Sequence, residues 1–355
     1  MFCPQQTHLC WAVLDCLRCD HGARDGTGQN WTHSAGEFTP LSPEPAGLGL
    51  NEQMTPTIWR NLVVETQFAT ELTLTGLRRL CSVPTEPELV PWGSENLNYA
   101  LHVGMYSYSS GLERLCKLAI ACNKYATTGE FPNLRSYSHR IGNLLDSVEA
   151  LTPAGPGASL HKAEYLVRPI DGLDPDLTNT VERFANGAGR YEHLDSLWND
   201  DAEVNTYNEW SALTARATVS EEVRRLISMK AAMAHAIESE LINDGLESTA
   251  DRVMEDLDLP TYEPSVGVVL SLFRKVRWVS TILDVATYYT IQDLPILGEV
   301  VSPIFVHSSA DFFTYHIARI GDEEVVGDEL QAAYERIRAR EVEPDDEDLD
   351  ETGVK

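Results

Sequence analysis

Apolar residues recur at steps of three and four along residues 98–126. That spacing forms one apolar stripe down a long α-helix. The stripe consists of Leu101, Met105, Tyr108, Leu112, Leu115, Ala119 and Cys122. An apolar stripe of this length is not stable in water by itself, because it needs partner helices to cover it. The pattern therefore predicts that this helix lies at the centre of a helical bundle.

Helical spacing also recurs on both sides of this segment. Residues 56–80 predict a first helix, and three prolines in residues 82–93 end it. Residues 134–151, 174–185 and 205–243 predict further helices, the last of them very long. The apolar positions assigned to the first helix are Ile58, Leu62, Phe68, Leu72 and Leu77.

Residues 266–289 are apolar almost all round, which is typical of a helix buried on every side. Their polar members form a narrow stripe that includes Arg274, Arg277 and Asp284. The two arginines could line a pocket for an anion, or pair with carboxylates of neighbouring helices. No segment shows the alternation of a β-strand, so we predict an all-α fold, a multi-helix bundle.

Composition divides the chain into four parts. Residues 1–53 contain four cysteines and a run rich in glycine and proline, and are predicted to be disordered or to precede a true start at Met54. Residues 54–151 form the predicted core. Residues 152–340 add helices packed on the core, which could form a second helical subdomain. Residues 341–355 are a strongly acidic tail, predicted to be disordered.

The cysteines of the first part offer one candidate metal site. Cys16 and Cys19, followed by His21, have the close spacing of half a zinc site. The other half would have to come from residues at no standard spacing, so disorder stays open as the alternative.

The net charge of the chain limits the kinds of molecule that it is expected to bind. The chain has 27 basic and 55 acidic side chains, a formal net charge of −28. Such a surface repels nucleic acid phosphates on average, so contact with RNA requires a locally basic patch. A basic protein partner fits the same charge. No run of 18 apolar residues is free of charges and no signal peptide is evident, so we expect a cytoplasmic protein that is not bound to a membrane.

Two arginine–histidine groups are the candidate catalytic residues. No phosphate-binding loop, dinucleotide fingerprint or zinc-protease motif is found, so no cofactor is expected. Arg135 and His139 are four residues apart and share a helix face, with Arg140 beside them. A histidine can act as a general base while a guanidinium stabilises a phosphate, which suits metal-independent RNA cleavage. The alternative is a surface pair near the start of a helix.

The second group follows Gly187 and Gly189. Arg190, Tyr191, His193 and Asp195 lie in a predicted turn, where Asp195 could orient the imidazole of His193. The alternative is a loop anchored to the core by its aromatic residue and its leucine.

Glu113 and Lys117 are four apart on the central helix, nearly opposite its apolar stripe. They could contribute to binding, or form an ordinary exposed ion pair.

Three short segments of residues 54–200 resemble the HEPN-like family. Residues 108–117, YSSGLERLCK, look like the family's Gly-Leu-Glu-Arg-x-x-Lys helix. Residues 137–145, YSHRIGNLL, are similar to its His-Asp-Leu-x-x-Leu-Leu element, with Arg140 in the acidic position. Residues 190–195, RYEHLD, resemble an Arg-Tyr-Tyr-Asn-Leu-Asp stretch of longer HEPN-type chains.

The resemblance implies a helical core that often dimerises, in a neighbourhood of RNases, toxins and anti-phage systems. HEPN nucleases share an Arg-x(4–6)-His motif, whereas the two groups here leave three and two intervening residues. Two interpretations therefore stay open. One is an endoribonuclease of a defence or stress module that acts on RNA as a homodimer. The other is a non-catalytic helical interaction or regulatory protein.

Overall fold

The computed structural model describes residues 56–85, 95–137, 139–151, 160–198, 206–243, 261–288 and 294–318. These residues form ten α-helices and no β-strand, which confirms the all-α fold class. The helices are α1 (Pro56–Cys81), α2 (Glu95–Thr128), α3 (Ile141–Glu149), α4 (Asp174–Ala185), α5 (Ala188–Asp195), α6 (Thr206–Thr214), α7 (Glu221–Asn243), α8 (Glu263–Tyr288), α9 (Leu297–Val300) and α10 (Ser309–Phe312). A π-helical turn, Phe313–Ala318, follows α10.

Helix α2 lies at the centre of the bundle, as its apolar stripe predicted. All seven residues of that stripe are buried. Helices α1, α3, α4 and α8 all pack against α2. The phenol of Tyr108 also donates a hydrogen bond to the carbonyl oxygen of Leu272 in α8, over 3.0 Å.

Small residues let α1 and α2 approach until their backbones are in contact. A Cβ atom added to Gly76 of α1 would lie 2.5 Å from the backbone nitrogen of Tyr108. A Cβ atom added to Gly111 of α2 would lie 2.7 Å from the backbone nitrogen of Thr73 and 2.9 Å from the carbonyl oxygen of Ala69. No real Cβ atom fits at such distances, so both positions require glycine. Because Ala69 pairs with Gly111 and Gly76 with Tyr108, the helices run antiparallel.

The same close contact corrects the predicted face of α1. Leu62 and Leu77 are buried as expected, but Ile58 and Phe68 are 39% and 47% exposed. The residues that face α2 are small, among them Ala69 and Thr73. Large side chains would hold the two backbones apart, and Phe68 therefore lies beside the close contact, where the guanidinium of Arg114 on α2 is 4.9 Å from its ring centroid.

Helix α8 is the second buried helix, and its all-round apolar pattern is confirmed. Of its 26 residues, 21 are buried. Two of its buried charges have partners: Lys275 pairs with Asp174 at the start of α4, and Asp284 Oδ2 lies 2.6 Å from Nε2 of His161.

The predicted long helix over residues 205–243 is wrong, because the segment is two helices. Helix α6 ends at Thr214 and α7 begins at Glu221. The Ser220 hydroxyl accepts a hydrogen bond from the backbone N–H of Val223 over 3.3 Å, as a capping side chain does at a helix start. Apolar spacing alone did not show this boundary.

Some predictions concern residues outside the described ranges. These are the N-terminal segment 1–53 with Cys16, Cys19 and His21, and the acidic tail 341–355. Within the described ranges, none of the helices combines the length and apolar character needed to cross a bilayer.

One histidine is buried in its neutral form at the end of the described chain. His316 Nε2 lies 2.5 Å from the carbonyl oxygen of Pro303, and Arg78 Nη2 lies 3.5 Å from Nδ1. Burial and the nearby Arg78 charge lower the pKa of His316, the hydrogen bond to Pro303 opposes them, and the three effects together bring the pKa from 6.5 to about 4. Nε2–H thus donates to Pro303, and Nδ1 can accept from Arg78.

Substituting Gly111 with alanine should destabilise the protein. The added methyl would force α1 and α2 apart, at a cost of about 1–3 kcal/mol for overpacking, against about 1 kcal/mol gained in helix propensity. A Cβ atom at Gly172 meets nothing within 4 Å, so Gly172→Ala is the control. Urea denaturation of both variants checks this. Equal midpoints for Gly111→Ala and the wild type would contradict close packing.

The protein should lose stability as the pH falls from about 6.5 towards 4. The unfolded chain binds a proton at His316 near its ordinary pKa of 6.5, whereas the folded protein binds it only near 4. Folding stability therefore rises with pH across this window, by up to about 3 kcal/mol from this residue.

Urea midpoints measured at several pH values test this for His316→Gln and, as a control, for the exposed His307→Gln. The dependence of the urea midpoint on pH between 4 and 6.5 should become weaker in His316→Gln and stay unchanged in His307→Gln. An unchanged slope in that variant would exclude His316 as its source.

Candidate functional site

A turn at the end of α2 brings His139 back to that helix. Gly129 follows the last helical residue with φ of 75°, in the left-handed region that glycine adopts without strain. The rings of Tyr125 and Phe131 stack with centroids 4.6 Å apart, which fixes the returning chain. A 3₁₀ turn, Leu134–Ser136, comes next, and its cap Asn133 accepts a hydrogen bond from Arg135 N. His139 is thereby positioned beside the middle of α2. The helix predicted over residues 134–151 is confined to Ile141–Glu149, so Arg135 and His139 do not share a helix face as predicted.

His139 and Lys117 share one carboxylate oxygen of Glu113. His139 Nδ1 lies 2.9 Å from Glu113 Oε1, and Lys117 Nζ lies 2.8 Å from the same atom. The His139 side chain is 67% exposed, whereas those of Glu113 and Lys117 are 13% and 17% exposed. Glu113 and Lys117 therefore do pair, but the pair is largely shielded and not the exposed one given as the alternative to binding, and it supports a histidine that solvent can reach.

The environment keeps Glu113 ionised. Burial by itself would raise the pKa of this carboxyl group, but hydrogen bonds from Lys117 and His139 outweigh burial and lower the pKa below its ordinary value. An ionised carboxylate only accepts hydrogen bonds, so it takes one from Nδ1–H of His139. In the neutral imidazole the lone pair is then on Nε2, on the exposed side of the ring. This is the arrangement of a histidine base that a carboxylate orients.

Basic side chains lie on the segment that carries His139. Arg135 and Arg140 are both exposed there. Lys117, on α2, is instead paired with Glu113.

The second predicted group lies on the helix α5 and not in a turn as predicted, and it faces the first half of α2. The guanidinium of Arg190 lies over the ring of Tyr106, 4.7 Å from its centroid. The His193 ring packs against that of His102, with centroids 4.7 Å apart. Among the described residues, no hydrogen bond joins His193 to Asp195, so Asp195 does not orient the imidazole as predicted. Tyr191 is exposed.

Both groups lie along the same face of α2. His102, Tyr106, Glu113 and Lys117 fall within about 60° of one another around the helix at 3.6 residues per turn. Tyr106 and Glu113 are about 10 Å apart along the axis, at 1.5 Å per residue. Arg190 contacts Tyr106, and His139 contacts Glu113. We call this face, from His102 to Lys117, the polar strip of α2.

Arg274 and Arg277 do line one cleft, of about 300 Å³, together with Tyr165 and Trp278. Arg277 lies over the Tyr165 ring at 4.0 Å from its centroid and donates to the Val306 carbonyl oxygen over 3.1 Å. Burial lowers the pKa of Arg277. Arg274 Nη1 lies 3.8 Å from Asp171 Oδ2. The cleft has both predicted features, a cationic lining and, for Arg274, a carboxylate partner.

The sequence did not show which residues meet. Glu113 and His139 are 26 positions apart, and the contact depends on the turn at Gly129. The sequence analysis did not identify His102 and Glu192 as site residues, although Nε2 of His102 lies 2.9 Å from Oε1 of Glu192. They are 90 positions apart, so no spacing rule connects them.

Comparison of the chain with models of protein families, with curated proteins and with solved structures gives no match. The interpretation of the site therefore rests on its geometry.

Proposed function

We propose that the protein is an endoribonuclease that cleaves RNA without a metal ion, with His139 as its general base. The observation that carries the proposal is the 2.9 Å contact between Glu113 Oε1 and Nδ1 of a histidine whose ring is exposed. Such a pair fixes one tautomer and leaves the other ring nitrogen available to a substrate.

The proposed reaction uses the free ring nitrogen of His139, Nε2, as the base. Nε2 of His139 takes the proton of a ribose 2′-hydroxyl, and the 2′-oxygen attacks the adjacent phosphorus. The bond from phosphorus to the 5′-oxygen breaks, which leaves a 2′,3′-cyclic phosphate and a 5′-oxygen that takes a proton from solvent water to become a hydroxyl, and His139 later returns its proton to solvent. The carboxylate of Glu113 stabilises the imidazolium that forms. Lys117, Arg135 and Arg140 supply positive charge for the phosphate.

The rest of the polar strip suits a single strand of RNA. Tyr106 and Tyr191 are exposed, and Arg190 lies over the Tyr106 ring. Aromatic rings and guanidinium planes are the surfaces on which unpaired bases stack. We assign Arg190 and Tyr191 to binding a base about two helical turns of α2 away from His139.

The HEPN-like resemblance supports the same proposal. Two of the resembling segments contribute the contacting residues, Glu113 and Lys117 from one and His139 from the other. On this basis we assign the protein to a defence or stress module, which acts on RNA as a homodimer.

Loss of the base should abolish most cleavage. We expect His139→Ala to lower kcat by about 10²- to 10⁴-fold, the usual contribution of a general base, and Glu113→Gln to lower it less. The assay follows cleavage of total RNA by the full chain, with and without EDTA, which should have no effect. His307→Ala is the control because His307 is exposed and lies far along the chain from the site.

Arg190→Ala separates binding from chemistry, since it should raise KM and leave kcat nearly unchanged. Cleavage that persists in His139→Ala at the wild-type rate, or that the wild type lacks under all salt conditions, would refute the proposal.

A second candidate function is self-association as a helical interaction protein. It is favoured by apolar side chains of α1 that are exposed to solvent. Val64 and Phe68 are four residues apart on one face of α1 and are 57% and 47% exposed. Clustered exposed apolar groups of this kind mark contact surfaces.

Light scattering at increasing protein concentration tests this candidate. We expect the wild type to form a dimer, and Val64→Glu to shift the equilibrium to the monomer because a buried, unpaired carboxylate opposes association. Leu160→Glu is the control, since Leu160 is an equally exposed apolar residue elsewhere, at 59%. A monomeric wild type would contradict the candidate, as would equal dimerisation of Val64→Glu.

A further inference from the structure

Two histidines and a glutamate converge where α5 packs on α2. Each of His102, Glu192 and His193 offers one ligand atom, and these three atoms lie within 4.8 Å of one another. Glu192 is buried, His102 is partly buried and His193 is exposed. Two imidazoles and one carboxylate form the donor set that zinc takes in sites with an open fourth position.

The carboxylate is already oriented for such a role. Thr206 donates its hydroxyl to Glu192 Oε2 over 2.7 Å and its backbone N–H to the same oxygen over 3.3 Å. Oε1 is left on the side of His102, 2.9 Å from Nε2. Hydrogen bonds that fix one oxygen of a carboxylate and direct the other are characteristic of metal ligands.

The charge of the site also favours a cation. Glu192 contributes the one carboxylate of the set, with Oε1 2.9 Å from Nε2 of His102. Arg183 lies 3.5 Å from Glu192 Oε2, but it also contacts Glu209. Because Glu209 offsets the charge of Arg183, the carboxylate charge of Glu192 remains for a bound cation.

Only small movements are needed to close the site. Zinc bonds of about 2.0–2.2 Å in a tetrahedron place ligand atoms about 3.3–3.5 Å apart. His102 and Glu192 are already nearer than this, at 2.9 Å. Since all three ligand atoms lie within 4.8 Å of one another, the ring nitrogen of His193 has to move by about 1.5 Å at most to reach the tetrahedral spacing. His193 is on the surface, so a change of its side-chain rotamer can supply that movement.

We propose that His102, Glu192 and His193 bind one divalent cation of the zinc class, with a water molecule as the fourth ligand. The site is separate from His139 and is not required for the proposed metal-independent cleavage. Its effect is to join α2 and α5 through a bound ion. An ordinary ion pair between His102 and Glu192 would join the same helices without any metal, so the two interpretations differ in metal binding alone.

Zinc titration of the full chain against a chromophoric chelator tests the proposal. The parent for this experiment carries Cys16→Ser and Cys19→Ser, because those thiols are candidate zinc ligands themselves. We expect one zinc ion per chain in this parent. His193→Ala should bind at least about tenfold more weakly, because it loses one of three protein ligands. His307→Ala, which removes an exposed histidine elsewhere, should bind like the parent.

Thermal unfolding gives a second readout that does not depend on activity. Zinc should raise the Tm of the parent and of His307→Ala, since a ligand that binds only the folded state stabilises it. It should not raise the Tm of His193→Ala, whose Tm without zinc should match that of the parent because His193 is exposed. Glu192→Gln should also lose the zinc effect. Equal zinc affinity in all variants, or no zinc bound by the parent, would overturn the proposal.

Discussion

The fold depends on how closely α1 approaches α2. Gly76 and Gly111 bring the two backbones into contact, and a single methyl group at either position would collide with the other helix. This contact fixes how α1 packs on α2, the helix against which α3, α4 and α8 also pack. The polar strip from His102 to Lys117 lies on that same helix, so both candidate sites are built on the helix at the centre of the bundle.

Two carboxylates have corresponding roles along the polar strip. Glu113 and Glu192 are each partly or fully buried, each lies within 3 Å of an imidazole nitrogen, and each has its pKa lowered. Their surroundings differ in one respect. Glu113 has a lysine beside it and an exposed histidine, which suits proton transfer. Glu192 has two histidines within ligand distance, which suits a cation.

The sequence predicted the parts of the fold in which one physical signal dominates. The apolar stripe of α2 is long and regular, and α8 is apolar on all sides. Both helices are buried as expected. The predicted buried face of α1 was wrong because glycine, alanine and threonine form the contact with α2. These residues contribute little to an apolar pattern. The division between α6 and α7 was missed because a serine cap is a weak signal beside a long apolar stripe.

The candidate sites were less accessible to sequence reasoning. His139, Glu113 and Lys117 were each named, but their contact follows from a turn at one glycine and a stacked pair of aromatic rings. His102 and Glu192 belong to different helices and are brought together only by packing. The HEPN-like resemblance concerns short segments, and it remains a prediction about ancestry beside a fold class that is confirmed.

The pair formed by Lys275 and Asp174 restricts how the chain can change over time. Both side chains are buried, and they join the central α8 to the start of α4. Replacing either one alone would leave an unbalanced charge in the interior, at a cost of about 3–5 kcal/mol, which is a large part of the stability of a typical domain. Lineages that descend from this protein should therefore keep both residues or exchange both together, for example for two apolar residues of similar volume. Co-inheritance of these two positions would then mark true relatives even where the rest of the chain has diverged.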